Sequence, residues 1–362
     1  LQDMCEIALH SGNNVTIYTD EDIKSKIDEN IDGYADIDWK VQGDKSTRRF
    51  LSQVESDTGR LDILCVNTIN LHLTNLYAFA TFTPDCVSLL WVHNTNNWLD
   101  SRYSLDKAVR GYLALYLKNR VLRNFDRFLF ESNSLKEYAS VQLSTDRPCH
   151  TFVPLYYSPS KIDAFDDDSS LSLVTPGIIA PFRRDYDQLL NAFEDISPDE
   201  SIRLTFLGSP KGEYGERIQK RCAELSSEGY DIHWFDGWVS HEEFHDRMRE
   251  ADAIVSPIAT EYDNKRWETE SYGTTKCTGN VHDALRFAKP ILLPDHYGKS
   301  SELGDAALYY DGRGELRKRM TDLLDPDTLT AYSERASEQS ERFTLEKQAR
   351  LFNDLLGSIL SN

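Results

Sequence analysis

The feature that most narrows the fold is an alternation that runs twice along the chain. Short β-branched and aromatic stretches take turns with longer amphipathic ones, the pattern left by strands joined through crossover helices. In the first half, strands are expected at residues 14–18, 62–66, 88–92, 127–131 and 151–153, with helices at 23–29, 75–82, 105–124 and 134–141. The polar, turn-rich run at 158–170 breaks the rhythm and reads as a linker. Beyond it the alternation resumes, with strands at 172–179, 202–208, 232–235, 253–257, 290–294 and 307–310. Helices are expected between them at 185–193, 214–226, 241–250 and 280–288. A closing helix over 328–360 sets Leu345, Ala349, Phe352 and Leu356 on one face.

A chain of 362 residues has room for two such units, each with its own core. The expected organisation is an N-terminal Rossmann-like domain over 1–160, a second Rossmann-like domain over 171–340, and a C-terminal helix over 341–362. The chain opens in what reads as the middle of a helix, so the first domain is expected to lack its first strand. Ligands of such sheets bind at the carboxyl ends of the strands.

Composition removes several function classes. No uninterrupted apolar run is long enough to span a bilayer, and the first residues lack the basic start and apolar core of a secretory signal. The six cysteines are scattered without a CxxC pair, which fits a reducing cytoplasm and argues against a disulfide framework or a zinc finger. Sixty acidic residues face 40 basic ones, for a net charge of −20, and this weighs against broad nucleic-acid binding. Only 16 of the basic residues are lysine, a balance compatible with a salt-adapted surface and equally with an ordinary acidic protein.

Five segments of the second half, taken in order, carry a resemblance. They are Pro176-Gly177-Ile178-Ile179 followed by Arg183-Arg184, then residues 202–208 ending in Gly208, then 232–239 with Asp236-Gly237-Trp238-Val239. The last two are 251–257 and 283–291. Together they resemble the C-terminal domain of retaining glycosyltransferases of the GT-B fold, in the large family numbered four. The resemblance implies two Rossmann-like domains facing each other across a cleft, and transfer of a sugar from a nucleotide-sugar donor to a glycan, lipid-linked or other hydroxyl acceptor. It implies a hexosyltransferase type of enzyme with no metal and no other cofactor.

A nucleotide-sugar carries a diphosphate, which calls for cations and unpaired backbone N–H groups. Lys276-Cys277-Thr278-Gly279-Asn280 lies just before an expected helix, where the N–H groups and the helix dipole can face phosphate. Lys276, Arg183 and Arg184 can neutralise charge on the departing diphosphate. The resemblance adds Gly177 and Gly208 to the donor side, Trp238 near the base, Glu270 on donor-sugar hydroxyls and Asp283 on the ribose. A tryptophan at a strand end is more often packing, and that reading is slightly favoured for Trp238. The sequence departs from the family at Ile178, where an arginine is usual. It departs again in the spacing of Glu270 and Asp283, where an inserted loop is expected. These departures keep a non-catalytic sugar-binding or partner-binding subunit open, and also a nucleotide-sugar epimerase. In the first domain His93 follows a strand at the family's usual histidine, and is expected to orient or deprotonate the acceptor.

Three other motifs are weighed and set aside or kept. His241-Glu242-Glu243-Phe244-His245 matches the zinc-protease pattern, but Ser240 before it makes a helix cap. Asp166-Asp167-Asp168 matches a metal-binding DxD pattern, yet lies in the polar linker. Residues 102–127 carry a net charge of +5, with Lys107, Arg110, Lys118, Arg120 and Arg123 interleaved with apolar side chains. Such a helix suits anionic membrane or a lipid phosphate, so a cytoplasmic protein with peripheral contact at the inner membrane face is expected.

Overall fold

Strands joined by helices return in the same direction, and the paired strands among the described residues are parallel except in one two-residue ribbon. The computed structural model describes residues 1–27, 34–99, 108–142, 147–159, 170–262 and 269–361. The chain divides into two units, Leu1–Leu155 with Leu345–Asn362, and Tyr156–Thr344.

The first unit begins α1 (Gln2–His10), β1 (Val15–Thr19), α2 (Glu21–Ile27), β2 (Ile37–Val41), α3 (Thr47–Thr58) and β3 (Ile63–Val66). It continues α4 (Leu73–Ala80), β4 (Val87–Trp91), α5 (Thr95–Leu99), α6 (Ala108–Asn124), β5 (Arg127–Phe130), α7 (Asn133–Gln142) and β6 (Cys149–Thr151). The second unit runs β7 (Leu171–Pro176), α8 (Tyr186–Glu194), β8 (Ile202–Leu207), α9 (Gly212–Ser227), β9 (Asp231–Trp234), α10 (His241–Glu250) and β10 (Ala253–Val255). After the ribbon of β11 (Glu261–Tyr262) and β12 (Glu270–Ser271) come α11 (Gly279–Phe287), β13 (Ile291–Pro294), β14 (Ala307–Tyr310), α12 (Gly312–Asp322) and α13 (Pro326–Ser340). The closing α14 (Leu345–Leu360) belongs to the first unit.

The second unit is one six-stranded sheet ordered β14-β13-β10-β7-β8-β9. Its inner strands β7, β8, β10 and β13 are almost wholly buried because helices cover both faces. One face buries Leu173, Leu204, Phe206 and Val255 beneath α8, α9 and α12. The first unit holds two sheets, β1-β2 and β3-β4-β5-β6. Phe128, Leu129 and Phe130 of β5 are all fully buried, or nearly so.

The expected last helix is two helices, α13 and α14, parted by a 3₁₀ turn at Glu341–Phe343. There the Phe343 carbonyl accepts from Tyr157 N at 2.9 Å. Buried Gln348 of α14 then donates to the carbonyls of Val153 and Leu155. Phe352 packs on Phe152, with ring centroids 5.4 Å apart, and Arg127 donates to the Ile359 carbonyl at 2.9 Å. Strand β2 and helix α3 escape the sequence reading because their patterns are weak. In β2 only Ile37 is fully buried, and α3 is a mostly polar helix resting on Phe50, Leu51 and Val54. The acidic linker run Asp166–Asp168 and Lys107 lie outside the described residues. Among the described residues no helix is long and apolar enough to cross a membrane.

Helix α11 ends on Ala288, whose φ of 51° turns the chain back toward the sheet. The next residue, Lys289, reaches Nζ to the Arg249 carbonyl at 2.8 Å, and burial pushes its pKa down to about 8. The unfolded chain holds that proton up to about pH 10.5, so between the two values unfolding takes up a proton and stability rises with pH. Compared with Lys289→Met, the wild-type protein should therefore gain roughly 2–3 kcal/mol of relative stability between pH 8 and 10.5. Urea unfolding of both proteins across that range checks it; a constant difference would refute the burial of the charge.

Candidate functional site

In the second unit the chain leaves β7 toward β8 and β9 on one side, then crosses to β10 on the other. The carboxyl ends of β7 and β10 therefore flank a switch point, where open parallel sheets leave room for a ligand. The residues expected on the donor side gather here. Gly177 follows β7 with φ of 111°, a value that L side chains rarely adopt. A Cβ on it would also sit 2.8 Å from Nη2 of Arg184. Gly208, which follows β8, comes so close to Gly177 that a Cβ would lie 2.1 Å from the Gly177 carbonyl oxygen.

Asn280 ties these pieces together from the first turn of α11. Its side chain is buried; Oδ1 accepts from Arg184 Nη2 at 2.9 Å and from Ser256 Oγ at 2.8 Å. Its Nδ2 donates to the Pro176 carbonyl at 3.0 Å and reaches Asp283 Oδ2 at 3.4 Å. The ends of β7 and β10, the β7–α8 loop and α11 thus meet on one amide. Thr278 caps α11 by accepting from Asn280 N, and Gly279 stands exposed with open space around it. The Nε of Arg184 is buried, with no hydrogen-bond partner among the described residues. Asp283 is half-buried, and that burial raises its carboxyl above the ordinary range despite the opposing pull of Arg286 and the Asn280 amide.

Arg183 is exposed at the end of the same loop, one residue after Phe182, whose φ of 69° is strained for a non-glycine residue. Its guanidinium lies 5.3 Å from the centroid of the Tyr262 ring, and Lys276 Nζ lies 5.3 Å from the same centroid. Tyr262 pairs with Glu270 across the β11–β12 ribbon. Glu270 is wholly buried, so its carboxylate can meet a sugar only if the ribbon shifts. Trp238 is 85% exposed, which overturns the packing reading slightly favoured from sequence.

The first unit has a polar cluster of its own, at the carboxyl ends of β3, β4 and β5. His93 Nε2 lies 2.8 Å from Asn67 Oδ1, and Nδ1 lies 3.3 Å from Glu131 Oε2. The imidazole stacks on Trp91 with centroids 5.6 Å apart. Asn67 and Glu131 each stand directly after an apolar strand, as His93 nearly does. That shared offset was the signal by which sequence could have found them. Tyr262 and Ser256 were missed as well, and Tyr262 left no signal because its ribbon is too short to alternate.

The basic helix α6 is only partly outward-facing. Lys118 is buried, with Nζ 3.2 Å from the Asn97 carbonyl, so it is not a surface cation. Arg120 and Arg123 are exposed, although Nε of Arg120 also bonds the Ala80 carbonyl at 3.1 Å; the side chain of Arg110 lies outside the description. Tyr112, Leu113 and Tyr116 are exposed on the same helix, and Tyr77 on α4 beside it. Ser240 caps α10 by accepting from Glu243 N at 3.1 Å, which accounts for the start of the HExxH segment.

No family model matches the sequence, and no curated protein does. Solved structures do. HepE of Anabaena, solved in complex with UDP, covers 99% of this chain and 96% of its own at 13% identity, with a TM-score of 0.67. A glycosyltransferase of Rickettsia africae covers 100% and 95% at 12% identity, also at 0.67. The N-terminal domain of Candida albicans trehalose-6-phosphate phosphatase covers 95% and 89% at 15% identity, with a TM-score of 0.59. The chain has the GT-B fold. At such identities the likeness carries the GT-B architecture, while the chemistry rests on the residues described above.

The close approach of the two strand-end glycines makes one substitution decisive for the GT-B switch point. Gly208→Ala must push the Gly177 backbone aside and should cost about 2–3 kcal/mol. Urea unfolding measures this, and a loss under 0.5 kcal/mol would show that the β7 and β8 ends are not locked as described.

Proposed function

We propose that the protein is a glycosyltransferase that moves a sugar from a nucleotide-sugar donor to a hydroxyl acceptor with retention of anomeric configuration. One observation carries the reading. The switch point of the second unit joins two cations, Arg183 and Lys276, with the open N-terminus of a capped helix, and these are the groups a diphosphate needs. HepE was solved with UDP and also with UDP and glucose, which makes a uridine nucleotide the first donor to try.

In this reading the diphosphate lies on Gly279 and Asn280, between Lys276 and Arg183, with Arg184 fixed behind it by Asn280. Asp283 serves the ribose, and exposed Trp238 can stack on the base. As the bond from the anomeric carbon to the phosphate oxygen breaks, its electron pair stays on the nucleotide. The acceptor oxygen bonds the same face of the carbon and its proton passes to the leaving phosphate. The cations neutralise the charge that develops there. No metal or other cofactor takes part. His93, held by Asn67 and Glu131, orients the acceptor hydroxyl in the first unit.

The acceptor is lipid-linked in the form of this reading that the surface supports best. Helices α4 and α6 contain no carboxylate in a chain of net charge −20, and they expose Tyr77, Tyr112, Leu113 and Tyr116 beside Arg120 and Arg123. Tyrosines with arginines suit the headgroup level of anionic membrane, so the protein works as a cytoplasmic, peripheral enzyme.

The test is turnover of UDP-sugars with and without anionic vesicles, in the wild-type protein and in Arg183→Ala with Lys276→Ala. The double variant should keep its melting temperature and lose at least about 100-fold in kcat/KM. The anomeric proton coupling of the product should match that of the donor. Unchanged turnover in the double variant would sink the assignment of the site, and an inverted product would sink retention.

A further inference from the structure

Arg183 and Lys276 come from loops that are far apart in sequence, carry the same charge, and yet converge on one ring. Other cation–ring pairs among the described residues set one cation on one ring: Arg48 on Tyr77 between α3 and α4, Arg217 on Tyr214 within α9, and Arg335 on Tyr332 within α13. Tyr262 instead collects one cation from the β7–α8 loop and one from the loop before α11. Two like charges repel, and two long side chains lose rotamer freedom when held in place. A ring with a negative π-face offsets both, because each cation is attracted to it.

The ribbon that carries Tyr262 is built to stay put. Glu270, opposite Tyr262, is wholly buried, and Tyr272 is buried with its ring centroid 6.4 Å from that of Tyr262. Thr275 Oγ1 accepts from Ser271 N at 2.8 Å, Gly273 N donates to the Lys276 carbonyl at 2.8 Å, and Lys276 N donates to the Ser271 carbonyl at 3.2 Å. Gly273, at φ of 84°, passes so near the Tyr297 carbonyl that a Cβ would lie 1.9 Å from it. The backbone of Lys276 is thereby fixed, and Tyr262 is one of the groups its ammonium group meets.

We propose that Tyr262 is a positioning residue that holds Arg183 and Lys276 together as one preformed two-cation site for a diphosphate. The inference rests on the glycosyltransferase reading for its biological ligand, but not for its geometry. What the ring supplies is its face; the hydroxyl is not needed. Phenylalanine should therefore replace tyrosine, and an aliphatic side chain should not. Tyr262 touches no reacting atom, so its loss should raise KM for the donor and leave kcat nearly as it was.

The experiment is calorimetric titration of the full chain with inorganic pyrophosphate and, separately, with UDP. The proteins are wild type, Tyr262→Phe, Tyr262→Leu and Tyr262→Val, each checked by its melting temperature. Valine suits a strand and guards against misfolding of the leucine variant. Phenylalanine should bind both probes within about twofold of wild type, and leucine and valine about tenfold more weakly. Leucine and valine variants that bind pyrophosphate as tightly as wild type would overturn the proposal. Wild-type binding of pyrophosphate but not UDP, with the same loss in the aliphatic variants, would uphold Tyr262 and defeat the nucleotide-sugar reading. A wild-type protein that binds neither probe would overturn both.

Discussion

The carboxamide of Asn280 is the contact on which the second unit's site depends. An amide offers two donors and an acceptor oxygen with two lone pairs, and here both of its ends are engaged. Without it the ends of β7 and β10 would each leave polar groups unanswered in a buried place, a cost of about 1–3 kcal/mol per group. Because Arg184 is one of its donors, the same amide that closes the sheet's end also sets a guanidinium behind the switch point. The packing of the strand ends and the placing of Arg184 share one side chain, and neither can be altered there without the other.

Charge is distributed with the same economy. The surface as a whole is strongly acidic, so an anionic ligand meets long-range repulsion that weakens as salt rises. Binding a diphosphate against that field requires cations held in place near the ligand, because only short-range contacts escape the general repulsion. In the proposed site the β11–β12 ribbon would answer this need by fixing the Lys276 backbone and presenting Tyr262 to both cations. Ile178, 42% exposed, leaves its own position without a charge, and the second cation of the proposed site is Lys276 from the far loop.

Much of the architecture was legible because it is written in long, repeated patterns. The inner strands of the second unit are rich in Leu, Ile, Val and Phe, so β7, β8 and β13 stand out against the amphipathic helices between them. Strand β2 and helix α3 were not legible, since a surface strand with one fully buried residue and a polar helix look like loop. At the switch point, the gathering of Gly177, Arg184 and Asn280, with Arg183 on the same loop, was readable from residue type and order. The place of Tyr262 was not, because it is defined by two cations distant in sequence. Lys118 was misread for a related reason: a lysine in a basic helix looks solvated, and only the fold shows its ammonium group turned inward onto a carbonyl.

The path of the chain has a further consequence. The second unit is one continuous stretch, Tyr156–Thr344, whereas the first needs α14 from the far end of the sequence. During synthesis the second unit can complete its sheet as soon as it emerges, since domains fold as units. The first must wait for about 190 more residues before Gln348 can reach the Val153 and Leu155 carbonyls and Phe352 can cover Phe152. Until then it keeps an apolar face open to solvent, so the half of the protein made first is the half finished last.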